Sequence, residues 1–419
     1  MQTMTVPTED GPVVPLQLER PIRVLHLVHW MNRGGIESWL LTVLQHLSRK
    51  RCQMDVCCKG PECGELAPAV RETGSRLLLC PLGPAVVPFL HRFKGVLKRG
   101  GFDLLHVHTD VHSGPAVYAA NSAGVPVVTT FHNTLFPPET RLTKCVGVRT
   151  LRSWYARRSM RYALVNSDQA TGVSRGVVRA VERAAGQSPS ACRVLYLGVR
   201  DPQMLSARQI AEYRTALQLR SDDRVVLHVG SFTERKNHGA LIEVFHRIQR
   251  KCPNARLLLV GDGPLRGSIM RSVRALGLEE RVRMLGLRND VTALMQMSNV
   301  LVFPSINEGL SLALMEASAT RLPIIASDIP GNREATCDGA AARLHDVTDL
   351  DAMAASAVAL FRQPDAAKQL AELARKAYVH TFSIEASVTR LMGLYQQVLR
   401  NHGSMVTDSN KRPSSRIHR

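Results

Sequence analysis

The sequence predicts an α/β protein of two doubly wound parallel-sheet domains, with ligands held where the carboxyl ends of the two sheets face across a cleft. Three observations carry this expectation. The chain has 419 residues, long for one compact core. Short β-branched apolar runs alternate with longer amphipathic ones almost throughout. The alternation also restarts midway, so that a second set of strands repeats the first.

The first set opens with "IRVLHLV" (Ile22 to Val28), followed by the helical "IESWLLTVLQHL". "MDVCC", "RLLLC", "DLLHVH", "PVVTTFH" and "YALVNS" come next as strands, each with a helix behind it, and "RVLYLGV" closes the set. The second set is "RVVLHVG", "ARLLLVG", "RVRMLG", "NVLVFPS" and "PIIAS". Leu350 to Arg400 reads as helix throughout. These patterns divide the chain into a disordered tail (1–20), a first domain (21–200), a second domain (201–385), a C-terminal helix able to cross back to the first (386–403), and a disordered basic tail (404–419).

Composition removes several classes. The first twenty residues lack an apolar run and carry Glu9, Asp10 and Glu19, unlike a secretory signal. Val111 to Pro138 lacks Lys, Arg, Asp and Glu, but Pro115, Pro126 and many polar residues argue against a membrane span. The nine cysteines include no Cys-x-x-Cys pair, and several lie in strand-like runs, as buried free thiols do. The formal charge of +19 calls for an anionic partner: nucleic acid, a membrane surface or a phosphorylated substrate. Aromatic content of 5% leaves few stacking platforms, so nucleic acid is not expected.

In open parallel sheets, ligands sit beyond the carboxyl ends of the strands, so residues just after each strand matter most. Gly34 and Gly35 follow the first strand and lead into a helix, where backbone N–H groups can meet an anion. A plain turn explains such a pair equally well. Arg235 and Lys236 follow "RVVLHVG", with Asn237 as N-cap; two cations beside helix N–H donors suit a diphosphate. "LVGDGPLRG" places Gly261 and Gly263 after the next strand. Its spacing and the absence of a later acidic residue argue against a nicotinamide dinucleotide, while a close approach to another nucleotide stays open. In "NEGLSLALMEA", Glu308 precedes a helix expected to begin near Leu310, and Glu316 lies among its apolar residues. A carboxylate there is costly to bury unless strong donors meet it, and two ribose hydroxyls are such donors.

With these residues assembled, the chain resembles the family-4 retaining glycosyltransferases of GT-B fold, two Rossmann-like domains facing across a cleft, and in particular the branch that builds bacterial surface polysaccharides. The likeness runs over roughly residues 21–400, in "GGIES", "HVGSFTERKN", "LVGDGP", the Glu-x7-Glu pair and "ASDIPGNRE". It implies that Glu316 holds the ribose of a nucleotide-diphosphate sugar and Glu308 the sugar hydroxyls. Backbone at Gly309, Leu310 and Ser311 would meet sugar and phosphate, Arg235 and Lys236 the diphosphate, and Gly34 and Gly35 the phosphate from the first domain. His132 would stand near the sugar's C6 side, and backbone at Leu287 and Arg288 near the base. The family implies front-face transfer with retention to a glycan or lipid-linked acceptor, with no cofactor and no metal.

Departures from the family pattern are Ser231, where many relatives carry arginine, and "LGVRD" at the interdomain hinge. Ten Lys or Arg against two acids between Arg141 and Arg183, together with "PFLHRFKGVLKR", make an anionic membrane surface a candidate partner. That places the chain in the cytoplasm, with the inner membrane face as its docking surface. A sugar-nucleotide epimerase and a non-catalytic basic binding protein are the alternatives, and neither accounts for the paired glutamates as well.

Overall fold

The structure is a computed structural model that describes residues 20–83, 85–134, 146–186 and 192–409. The chain forms two compact units: one built on the described residues up to Leu197 with those from Ser387 onward, the other Gly198–Ala386. In the first unit the strands are β1 (Ile22–Val28), β2 (Cys52–Cys58), β3 (Leu77–Leu79), β4 (Leu104–Val107), β5 (Val127–Phe131), β6 (Gln169–Gly172) and β7 (Cys192–Val194). They pair in parallel in the order β3-β2-β1-β4-β5-β6-β7. In the second they are β8 (Arg224–Val229), β9 (Ala255–Val260), β10 (Val282–Gly286), β11 (Val300–Phe303), β12 (Ile324–Ser327) and β13 (Arg343–His345). Their order, again parallel, is β10-β9-β8-β11-β12-β13.

Each unit is therefore doubly wound, and the order of winding reverses beside its first strand. The reversal falls between β1 and β4 in one unit and between β8 and β11 in the other. At such a point neighbouring loops diverge to opposite faces and leave a crevice for a ligand. Burial on both faces explains why the strands read as continuous apolar runs. Leu257 and Leu259 of β9 pack on one side of the sheet with Leu241, Phe245 and Met353. Leu258 and Val260, alternating with them, pack on the other with Leu294 and Leu314.

Several elements differ from expectation. "YALVNS" is the end of the helix Val146–Asn166, and the strand is the more polar β6 behind it. A short apolar run carries no period of its own; here Met160, Ala163 and Leu164 are buried at helical spacing. β7 covers only the start of "RVLYLGV", and β13 was not foreseen because three residues with one leucine leave no pattern. The block after Leu350 breaks into helices Leu350–Arg362, Pro364–Ala377 and Ile384–Ser409. Pro364 cannot continue the helix before it.

Gly261 and Gly263 have an explanation within the fold. Both adopt positive φ, and a Cβ on Gly261 would stand 2.0 Å from the Gly230 carbonyl, one on Gly263 2.7 Å from that of Phe232. Their identity is set by the packing of the loop after β9 on the loop after β8. The basic helix Val86–Gly100 turns Phe89, Phe93 and Leu97 into the core, which leaves Arg92, Lys98 and Arg99 exposed. Its apolar stripe is therefore spent on the protein, and its outward face is basic, with Val87 exposed at its start.

Candidate active site

The loop after β8 carries a 3-10 turn, Glu234–Lys236, and the loop after β11 carries Glu308. The two loops leave adjacent strands at the reversal point and are tied together by the Ile306 N–H donating to the Arg235 carbonyl (2.9 Å). Lys236 donates from Nζ to Glu308 Oε1 at 2.7 Å, with both side chains buried. The ammonium also lies 4.6 Å from the centre of the Phe303 ring. Burial pulls the Lys236 pKa below its ordinary value, and Glu308 opposes that shift. Sequence reasoning gave the two residues separate ligand groups; the structure brings them together as one ion pair. Arg235 itself is exposed. Asn237 stands at the start of helix His238–Lys251 in a left-handed conformation (φ 52°) and makes no side-chain capping bond, contrary to expectation.

The Glu308 loop is held from below. A Cβ on Gly331 would stand 2.4 Å from the Glu308 carbonyl, so only glycine lets the turn Pro330–Ala335 pack there. Ser327 donates to the Ser305 carbonyl, and Asn332 Nδ2 reaches both the carbonyl and hydroxyl of Ser327 at 3.0 Å. The "GNRE" segment is thus scaffold: Asn332 is fully buried and Arg333 pairs with Asp328.

Helix Leu312–Ala319 follows, starting two residues later than expected, with Ser311 as its N-cap. Ser311 is buried, and its hydroxyl has no partner among the described residues. Glu316 is half-buried one helical turn further in. Desolvation, with no compensating donor among the described residues, pushes its carboxyl up to about 7. Such a carboxylate gains most from a ligand that brings hydroxyl donors. In the loop after β10, Leu287 is exposed, whereas Arg288 is committed to Asp290 by two hydrogen bonds of 2.8 and 2.6 Å.

In the first unit, Gly34 and Gly35 begin the helix Gly35–His46 as expected. A Cβ on Gly34 would lie 2.4 Å from Glu37 Oε2, so a carboxylate of the helix itself already lies over its N-terminus. His132 directly follows β5 and is buried; its N–H donates to Asp110 Oδ1 at 2.9 Å. Burial lowers its pKa to about 3, so the ring is neutral at pH 7. Sequence reasoning missed its neighbours. Lys59, after β2, is buried with Nζ 3.2 Å from His29 Nδ1, and burial lowers it to about 8 while Asp110 pulls the other way. Burial raises Asp110 to about 6 against hydrogen bonds from the His132 N–H and Asn133. Asp110 is also strained at φ 43°. His29 and Lys59 directly follow β1 and β2, and Asp110 and Asn133 lie within three residues of the ends of β4 and β5, the one signal that could have found them.

Two all-parallel, doubly wound units in one chain are the architecture of the GT-B glycosyltransferases. Residues 209–377 match the family described as Glycosyl transferases group 1, and residues 33–201 match Glycosyltransferase Family 4. The chain belongs to the family-4 glycosyltransferases. It is 29% identical to EpsF of Bacillus subtilis, named as a glycosyltransferase, over 73% of this chain and 79% of that one. It is 26% identical to the N-acetyl-alpha-D-glucosaminyl L-malate synthase of Bacillus anthracis, over 73% and 77%. Among solved structures, the Anabaena protein HepE in complex with UDP and glucose superimposes with a TM-score of 0.76 at 19% identity, covering 91% of this chain and all of that one.

Proposed function

We propose that this chain moves a sugar, with retention of configuration, from a nucleotide-diphosphate donor to a glycan or lipid-linked acceptor in surface-polysaccharide synthesis. The observation that supports it most is the buried Lys236–Glu308 pair at the β8/β11 reversal, followed by a short helix whose Glu316 carboxylate meets no donor among the described residues. Glu316 takes the ribose hydroxyls and Glu308 the sugar. Backbone at Gly309, Leu310 and Ser311 meets the sugar and phosphate, and Gly34 and Gly35 take the phosphate. Backbone at Leu287 and Arg288 borders the base, and His132 the C6 side of the sugar.

In this reading the bond between C1 and the diphosphate oxygen breaks while the acceptor oxygen bonds C1 on the same face. The acceptor proton passes to the departing diphosphate oxygen, so no protein base is needed. Arg235 and Lys236 supply the positive charge that the leaving diphosphate requires as the bond breaks. Interactions that strengthen in this way lower the barrier rather than merely tighten binding.

The UDP and glucose held by HepE make uridine-diphosphate sugars the first donors to test. A donor at a hundred times its Kd stabilises the folded chain by about 2.7 kcal/mol. In a thermal-shift screen of nucleotide sugars, at least one raises Tm by several degrees; a flat panel contradicts the reading.

Among the described residues no helix is long and apolar enough to cross a membrane. The cations of Val86–Gly100 support docking on an anionic leaflet chiefly by charge, at about 1 kcal/mol per Lys or Arg. Co-sedimentation with anionic vesicles that salt abolishes is the expected result. Equal binding to neutral vesicles would remove the docking idea.

A further inference from the structure

Behind His132 lies a line of buried polar side chains that the reaction above does not use. His132 Nε2 is 3.1 Å from His108 Nδ1, and His108 Nε2 is 3.0 Å from His26 Nδ1. His26 Nε2 is 3.4 Å from the Tyr395 hydroxyl, which is 2.6 Å from His106 Nδ1. His106 Nε2 is 2.6 Å from Thr130 Oγ1, Thr130 is 2.7 Å from Thr171 Oγ1, and Thr171 lies 3.4 Å from the Thr129 carbonyl. All seven side chains are buried, four of the six interior ones at zero exposure, so bulk solvent does not reach them and their contacts with one another carry their bonding.

A neutral imidazole carries one donor and one acceptor, and a hydroxyl has a single proton. A hydroxyl can accept from both sides, but its own proton then has no partner on the line, so every proton is used only when all point the same way. If they point away from His132, each contact has one donor, and the last proton, on Thr171, reaches the Thr129 carbonyl. If they point toward His132, Thr171 spends its proton on Thr130, and the contact to a carbonyl that can only accept is lost. Seven contacts are satisfied one way and six the other.

We infer that Tyr395, His26 and His108 are positioning residues that fix the proton of His132 on Nε2, aimed inward, leaving Nδ1 with a lone pair. A ligand meeting His132 at Nδ1 must then donate to it, as a sugar hydroxyl does. That consequence rests on the sugar-transfer reading, but the proton order does not. Three of these histidines bring ring nitrogens within 4.8 Å of one another, close enough for a metal ion. His106, however, has both nitrogens committed to Tyr395 and Thr130, and His26 and His108 are bonded to each other. The hydrogen-bonded line accounts for the same nitrogens without an ion.

The test needs no donor sugar, so it stands or falls separately from the transferase reading. In the full chain labelled with 15N-histidine, long-range 1H–15N correlation spectra report the tautomer of each ring, with His132→Gln used for assignment. His26, His106, His108 and His132 are all expected as Nε2–H. In Tyr395→Phe, His106 stays Nε2–H through Thr130, while the other three shift toward a tautomer mixture. A wild-type spectrum with Nδ1–H at any of the four overturns the inference, as does Tyr395→Phe with unchanged tautomers. So does a zinc titration that shifts all four rings. Should Tyr395→Phe fail to fold, the wild-type spectrum alone decides.

Discussion

Lys236→Met is expected to lower turnover by about 10²–10³-fold, as loss of a preorganised donor to a developing anion does. The structure adds a second consequence. Removing the ammonium strands Glu308, a buried carboxylate whose ion-pair partner among the described residues is Lys236. Breaking one side of a buried pair costs roughly 3–5 kcal/mol, whereas neutralising both sides is often close to neutral. The single variant should therefore also unfold at lower urea. Lys236→Met with Glu308→Gln should regain most of that stability and none of the turnover. Urea titrations beside initial rates separate the two effects. Turnover within a few-fold of wild type in the single variant removes Lys236 from the chemistry, and a double variant as unstable as the single removes the ion pair as its structural role.

Glu316→Gln should weaken donor binding by about 10–100-fold at pH 8, because an amide gives the ribose diol one neutral acceptor in place of a carboxylate. Its pH dependence is more specific. Desolvation raises the folded carboxyl from 4.5 to about 7, so between those values the folded chain keeps a proton that the unfolded chain has released. The contribution of this residue to stability is whole below the lower value and is lost as pH rises through the upper one. Relative to wild type, the variant should therefore gain on the order of 3 kcal/mol between pH 5 and pH 8. Donor hydroxyls favour the ionised form, so wild-type affinity should climb with pH to about 7 and then level, with no such climb in the variant. Parallel slopes for the two proteins would contradict the assignment.

The architecture was legible because both sheets are buried on two faces and write their strands as apolar runs. Arg235, Lys236, Glu308 and Glu316 were legible because they follow strand ends or interrupt an apolar helix. The contact between Lys236 and Glu308 was not, since 72 residues separate them and only the parallel placing of β11 beside β8 joins their loops. Gly261 and Gly263 read as a nucleotide loop, yet their close approach is to the neighbouring loop. Lys59 and Asp110 are single polar residues near strand ends, and His26 and His106 lie within apolar strands; none carries a period, and strand order is what brings the strands that hold them together.

The most direct measurement is a calorimetric titration, at pH 8, of the nucleotide sugar that gives the largest thermal shift. It would be run into wild type, Glu316→Gln and the paired Lys236→Met, Glu308→Gln variant. Affinity reduced about tenfold or more in both variants, with their folds intact, is the result expected if these side chains hold the donor. Three indistinguishable isotherms would show that it binds elsewhere.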